Sequence, residues 1–536
     1  MALTIETLLA LLGVLCAVAV LARKLNTAPS ILLVLAGVLL ALVPDLPRIE
    51  ITPEVVLLVI LPPLIYSAGV SMSWREFHSN LRPIALLAFG CVVFTAGAVA
   101  LATHWVLGLP LGVGFLLGAI VAPPDVVAPL AIARRLGIPH RLLVILEGEG
   151  LANDATALIL YRFAVVAIAS GAFSLPQAAG TFVAIVVGEI AYGIGIGWLS
   201  LRLRRWSRDP RVEITLSLMT PYMAYWLPEY LGGSGVLATV ACGLYVSWRG
   251  PLLISSATRL QGFFFWDLIT YIIEGFVFLI TGLQARTLAE QITGVALRDL
   301  LIATLLTTAI IVAARFVWVF PATYIPRWLF PPVRRSDPSP PWTYPFLLSF
   351  TGVRGVVSLA AALALPFVME NGDPFPYRDL ILFTAFGVIV ITIVGIGLTL
   401  PAVVRALGLE KHANAEKRAE HAAELSARFA LMEGALERLD ALIDERRLPE
   451  SVVDVLRSHF DTRRRQFPRA LEDGVEEAAL TSALRRELID FERRQLHKLL
   501  REGKITDETR RRLERELDLE EATVVFKGDG QAELPI

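Results

Sequence analysis

Residues 118–137 read GAIVAPPDVVAPLAIARRLG, an apolar run long enough to cross a bilayer but interrupted by Pro123, Pro124 and Pro129. Proline removes a backbone donor and clashes with the preceding turn, so this helix breaks and frees carbonyls at membrane depth. Such breaks persist only where protein covers them or water fills a cavity beside them. Asp125 follows the double proline, where its carboxylate is placed to cap the second half-helix and complement its positive end. A simple proline kink is the competing explanation.

Two further stretches carry ionisable groups in apolar surroundings. Residues 146–163 read LEGEGLANDATALILYRF, with Asn153 and Asp154 adjacent and small residues around them. At 100° per residue, Glu149 and Asp154 point about 140° apart on one helix, which predicts two separate jobs. One carboxylate faces a cavity and the other is held in an ion pair; Asp154 suits the first job, because its own turn contains no cation. Residues 347–366 read LLSFTGVRGVVSLAAALALP, where Gly352 and Gly355 flank Arg354 and weaken the helix. Other ionisable groups within apolar runs are Glu147, Arg162, Glu189, Glu274 and Arg315. A charge inside a bilayer is costly enough to be a functional candidate by default.

The whole chain agrees with a membrane setting. It has 536 residues, 55% of them hydrophobic, and a mean hydropathy of +0.62. Residues 411–536 hold 52 of the 99 Asp, Glu, Lys and Arg, which predicts a membrane domain over 1–405 and a helical cytoplasmic domain over 406–536. Thirteen spans are expected: 4–22, 29–44, 52–70, 83–107, 111–133, 142–169, 177–200, 212–228, 233–248, 266–284, 299–323, 344–369 and 379–405. The first is read as a retained helix, since it lacks a basic leader and a cleavage site. With the N-terminus outside, the cytoplasmic loops carry 17 Lys and Arg against four in the opposite set. The broken spans then run in opposite directions as fifth and twelfth, as two inverted six-helix repeats around a seventh span would place them.

Several function classes are disfavoured. A net charge of -1 gives no hint of nucleic-acid binding, and Cys16, Cys91 and Cys242 form neither a metal spacing nor a disulfide framework. A Walker A loop is absent, which argues against a nucleotide-driven pump. A gated cation channel is the main rival, although no repeated filter sequence occurs; a receptor with a signalling tail is another. The tail itself, with segments such as AELSARFALMEGALERLDALIDE, predicts amphipathic helices ending in a frayed terminus.

PPDVVA in a broken helix, EGEGLANDATAL on the next, GVRGVVSLAAALALP near the end and LPPLIYSAGV at 61–70 occur in order. Together they resemble the bacterial sodium/proton antiporters of the cation/proton antiporter superfamily, in the NhaP-like branch and its PPD-motif subgroup, over residues 5–405. The resemblance implies that Asp154, beside Asn153, binds the cation (Na+, with Li+ or K+ as alternatives) and the proton in turn. It further implies pairing of Glu149 with Arg354 and of Glu274 with Arg315. No cofactor is implied. A homodimer in the bacterial inner membrane is, with elevator-like movement and a role in pH homeostasis. Three positions depart from the best-known members: Pro124 stands where threonine is usual, Gly150 where serine is, and Ser67 where an acidic residue is expected.

Overall fold

The computed structural model describes every residue except 1–4, 26, 44–51, 172–173, 208, 292–295, 370–372, 447–448, 450, 459–474, 503 and 533–536. Arg48 and Arg208, two of the basic residues counted in the loops, and the extreme C-terminus therefore lie outside the described residues. Apolar runs in lipid must satisfy their backbone groups internally, which leaves helices or closed barrels. Here the outcome is helical: among the described residues, extended pairing is limited to one bridge between Val368 and Pro374. The chain forms two compact units, 1–410 and 411–536.

In the first unit, α1 (Ile5–Leu25) and α2 (Pro29–Ala41) are followed by a π-helical turn, Val55–Ile60, that runs into α3 (Leu61–Ser71). After α4 (Trp74–Ser79), α5 (Leu81–Ala85) continues through a second π-helical turn, Leu86–Cys91, into α6 (Val92–Leu107). The proline-rich span is split into α7 (Leu111–Val121) and α8 (Val127–Leu136). Then come α9 (His140–Ser170), α10 (Leu175–Ser207), α11 (Pro210–Tyr230), α12 (Val236–Leu253), α13 (Ser256–Gln291), α14 (Leu297–Leu329) and the short α15 (Pro331–Ser336). The second broken span is α16 (Thr343–Phe350) and α17 (Val356–Leu363), and α18 (Arg378–Ala406) closes the unit.

Among the described residues, eight helical stretches are each long and apolar enough to cross a membrane. Large side chains exposed along them face outward: Leu101, Val183, Val187, Phe263, Phe264 and Leu305 are all exposed. Trp105, Trp206, Trp226 and Trp328 are exposed near helix ends, the level at which indole rings settle in a bilayer. The helices meet through small residues. Gly37 on α2 and Gly282 on α13 lie so close that a Cβ on Gly37 would stand 2.9 Å from the Gly282 Cα. Any side chain there would push the helices apart; small residues permit this approach in membranes.

The second unit is also helical, with α19 (Leu409–Arg446), α20 (Val475–Arg501) and α21 (Asp507–Ala532). The last two pair through Arg485–Glu520 at 2.9 Å and Arg493–Asp518 at 2.6 Å, over the buried Ile489 and Leu496. The Arg510 guanidinium beside Asp507 holds that carboxyl below the usual carboxylate range.

Candidate functional site

The two broken helices meet at their breaks. Between α7 and α8 the Asp125 backbone N–H donates to the Val353 carbonyl at 2.7 Å, which lies in the gap between α16 and α17. The Asp125 Oδ1 accepts the Val127 N–H at 2.9 Å, capping the start of α8. On the other side, the Arg354 N–H donates to Thr392 Oγ1 of α18 at 3.0 Å. Backbone groups orphaned by each break are thus taken up by the opposite break, by a carboxylate or by a hydroxyl, as burial requires. Gly355 sits directly against Asp125, and a Cβ there would collide with the carboxylate.

Helix α9 crosses beside this junction. Asn153, fully buried, donates its Nδ2 to the Pro124 carbonyl at 2.7 Å. Its Oδ1 is buried without a partner. Gly150 permits the close packing: a Cβ at that position would lie 3.2 Å from the Cβ of Val126 and closer still to its methyl groups. Pro124 contributes a carbonyl and Gly150 contributes space, so neither departure from the family pattern leaves a hole.

Asp154 is half-buried in a stretch of α9 whose neighbours Leu151, Ala152, Asn153 and Ala155 are buried. Among the described residues its carboxylate has no hydrogen bond and no ion pair. Asp125 is likewise half-buried. The junction therefore offers two half-buried carboxylates, Asp125 and Asp154, and beside them the buried, unpartnered amide oxygen of Asn153. Hard oxygen ligands of this kind suit alkali cations and protons better than soft metals. Among the described residues, no cluster of three or more His, Cys, Asp or Glu forms a metal cage.

Glu149, on the other face of α9, is fully buried in a two-pronged ion pair with Arg315 of α14, Nη1–Oε1 at 2.5 Å and Nη2–Oε2 at 2.7 Å. The Arg315 Nε also donates to the Leu348 carbonyl at 2.9 Å. This corrects the expected pairs of Glu149 with Arg354 and Glu274 with Arg315. The guanidinium fork can satisfy both carboxylate oxygens only from one direction, and Arg315 holds it. Arg354 is buried beside them, with Nη1 on the Gly352 carbonyl at 3.0 Å and Nε unpartnered. Glu274, half-buried on α13, has no ion-pair partner among the described residues. Ser67 is also placed elsewhere: it lines a separate cavity with Tyr66, Arg204 and Glu213.

Other intramembrane charges find local partners. Glu147 pairs with Arg134 and Arg162 with Glu229. The Glu189 carboxylate accepts the N–H groups of Ser234 at 2.6 Å and Gly235 at 3.2 Å, which fastens the start of α12. The Val353 carbonyl and the Thr392 hydroxyl belong to the junction as well, and no local sequence pattern marks either. Glu229 is detectable in the sequence as a carboxylate at the end of an apolar run.

A multi-pass helical membrane chain with two mutually satisfied helix breaks and unpaired carboxylates beside them is a secondary ion transporter in its architecture. The sodium/hydrogen exchanger transmembrane family model matches residues 8–406. An uncharacterised Na+/H+ exchanger of Mycobacterium bovis is 34% identical over 525 residues, covering 96% of this chain and 94% of the relative. A sodium, potassium, lithium and rubidium/H+ antiporter of Bacillus subtilis is 35% identical over 379 residues, 68% of this chain and 56% of that protein. The sodium proton antiporter of Methanocaldococcus jannaschii superposes with a TM-score of 0.58 at 19% identity, covering 75% of this chain and 98% of that one, a likeness of fold. The chain belongs to the sodium/hydrogen exchanger family and is a cation/proton antiporter.

Proposed function

We propose that Asp154 binds a monovalent cation and a proton in turn, and that this competition couples their opposite movements. The observation that carries the proposal is the contrast on α9: Glu149 is neutralised by Arg315, whereas Asp154 faces accessible space with no partner. A buried carboxylate resists standing charged and alone, so either a proton or a cation must accompany it. Asp125 and the unpartnered Asn153 Oδ1 are the further oxygens offered to the ion. Pro124 and Gly150 shape this wall.

The preferred cation is Na+, with Li+ and K+ as competitors; the breadth of substrates in the name of the Bacillus subtilis relative supports keeping all of them open. An asparagine beside a single aspartate favours one proton per cation and electroneutral exchange. Thirteen spans, an outside N-terminus and a cytoplasmic tail follow from the 17-to-four distribution of basic residues. The bidentate tie between α9 and α14 supports movement of these helices as one body, as an elevator step between homodimer-forming halves requires. Residues 1–405 carry transport and 406–536 regulate it or stabilise the dimer, in a cell-membrane protein that serves sodium transport and pH homeostasis.

The deciding experiment adds Na+, Li+ or K+ to vesicles that contain the purified protein and hold a pH gradient. Na+ should dissipate the gradient at the lowest concentration, at a rate unchanged when a potassium ionophore clamps the membrane potential. Cation current without proton movement would overturn the proposal in favour of a channel.

A further inference from the structure

A charged cavity that Asp154 does not line is bounded by α3, α10, α11, α12 and α13 and has a volume of about 330 Å³. That is the lower end of the range for small-molecule sites. Two buried ions of opposite charge line it without pairing. Arg204, 4% exposed, donates Nη2 to the Tyr66 hydroxyl at 2.9 Å and to Thr220 Oγ1 at 3.3 Å, but its Nε has no partner. Glu213, 3% exposed, has neither a hydrogen bond nor an ion pair among the described residues, and its Oε2 is buried and unpartnered.

A buried carboxylate is normally paired, because taking a charge out of water is expensive. Glu213 lies in the first turn of α11, where the helix dipole favours its charge, but that effect is small and partial. Arg204 is similarly left with an unused donor. A second lining guanidinium, Arg259, already donates to the Pro251 and Ile254 carbonyls, so the groups with unspent hydrogen-bonding capacity are one negative, Glu213, and one positive, Arg204.

The remaining wall selects what fills it. Val70, Ile254 and Trp266 are apolar, and Phe263, at 77% exposed, carries that surface outward beside the exposed Leu260. The charged pair stands where α10 ends at Ser207 and α11 begins at Pro210, the level of a headgroup rather than of an acyl chain. A matching ligand carries an ammonium and a phosphate joined by a short link, with an apolar body that leaves along Phe263. We propose that this cavity binds the headgroup of a zwitterionic aminophospholipid such as phosphatidylethanolamine, its ammonium on Glu213 and its phosphate on Arg204 Nε. This assignment does not depend on Asp154 or on transport.

The test uses delipidated full-length protein in detergent, with phosphatidylethanolamine, phosphatidylcholine or phosphatidylglycerol added back. Phosphatidylethanolamine should raise the melting temperature above the values reached with the other two, since a trimethylated amine cannot donate to Glu213 and a glycerol headgroup carries no cation. Glu213→Gln should lose that increment while keeping the response to phosphatidylglycerol. Gly262→Leu is a second probe that leaves both charges in place; a Cβ on Gly262 meets only Ile214 Cγ1, at 3.8 Å, and the rest of the side chain enters the cavity. It should lose the increment too, and it decides the matter if Glu213→Gln does not fold. Equal stabilisation by phosphatidylethanolamine and phosphatidylcholine, or an increment kept by the folded variants, would overturn the proposal. So would soluble phosphoethanolamine reproducing the whole increment, which would make the ligand a solute.

Discussion

Glu149 and Asp154 are carboxylates five residues apart on α9, yet they occupy different surroundings. The Glu149 face is dry: both oxygens are held by Arg315, whose Nε is tied to a backbone carbonyl. The Asp154 face is open: the carboxylate is half-buried and has no partner among the described residues, although Asn153 next to it is locked onto Pro124. An acidic group inside a membrane protein can thus be a rivet or a binding site. The difference lies in whether its charge is already answered by the fold.

The strongest way to break this contrast is Asp154→Asn. It should reduce cation-dependent proton flux in vesicles to the protein-free background, while melting temperature and expression stay near those of the parent. Robust transport by this variant would remove Asp154 from the centre of the mechanism.

The next largest effect concerns the dry face. Arg315→Ala strands a buried carboxylate and should cost about 3–5 kcal/mol of stability, part of which Glu149→Gln restores. The same cycle run with Arg354→Ala should show weaker coupling to Glu149, since Arg354 donates to the Gly352 carbonyl instead. Stronger coupling through Arg354 in a thermal denaturation series would reverse the pairing seen here.

Gly355→Ala probes the open face. The added methyl enters the space of the Asp125 carboxylate, and overpacking of this kind costs about 1–3 kcal/mol. Transport should fall more than stability does, measured as flux per folded protein; an unchanged flux would show that Asp125 has room to move aside. The smallest effect is expected at Arg162→Ala. Its ion pair with Glu229 keeps partial exposure at both ends, so solvent screens part of the stranded charge and the loss should stay below that of Arg315→Ala. A loss equal to that of Arg315→Ala in the same melting assay would place that pair among the rivets.

Much of this was legible in the residues themselves. The broken span over 118–137 follows from three prolines, whose chemistry acts locally whatever surrounds them. The opposed directions of Glu149 and Asp154 follow from helical periodicity, and the capping of α8 by Asp125 follows from its place after a double proline. The partners were harder to see. Arg315 and Arg354 are both arginines in apolar surroundings, and family likeness assigned Glu149 to the wrong one. Ser67, expected near the cation from family likeness, lines a cavity with Arg204 and Glu213, a neighbourhood that no local pattern in its own helix marks.

The order of residues alone is enough for a membrane-spanning helical chain, for the places where its helices break and for the few charges inside it. Those properties depend on hydropathy, proline and periodicity, all of which act over one or two turns. Packing in three dimensions settles which arginine answers Glu149, which carbonyl receives the Asp125 N–H, and that Asp154 is left unanswered. Each of those outcomes joins residues far apart in the chain, as in the pairing of Glu149 with Arg315, and is set by the direction from which packing delivers a donor.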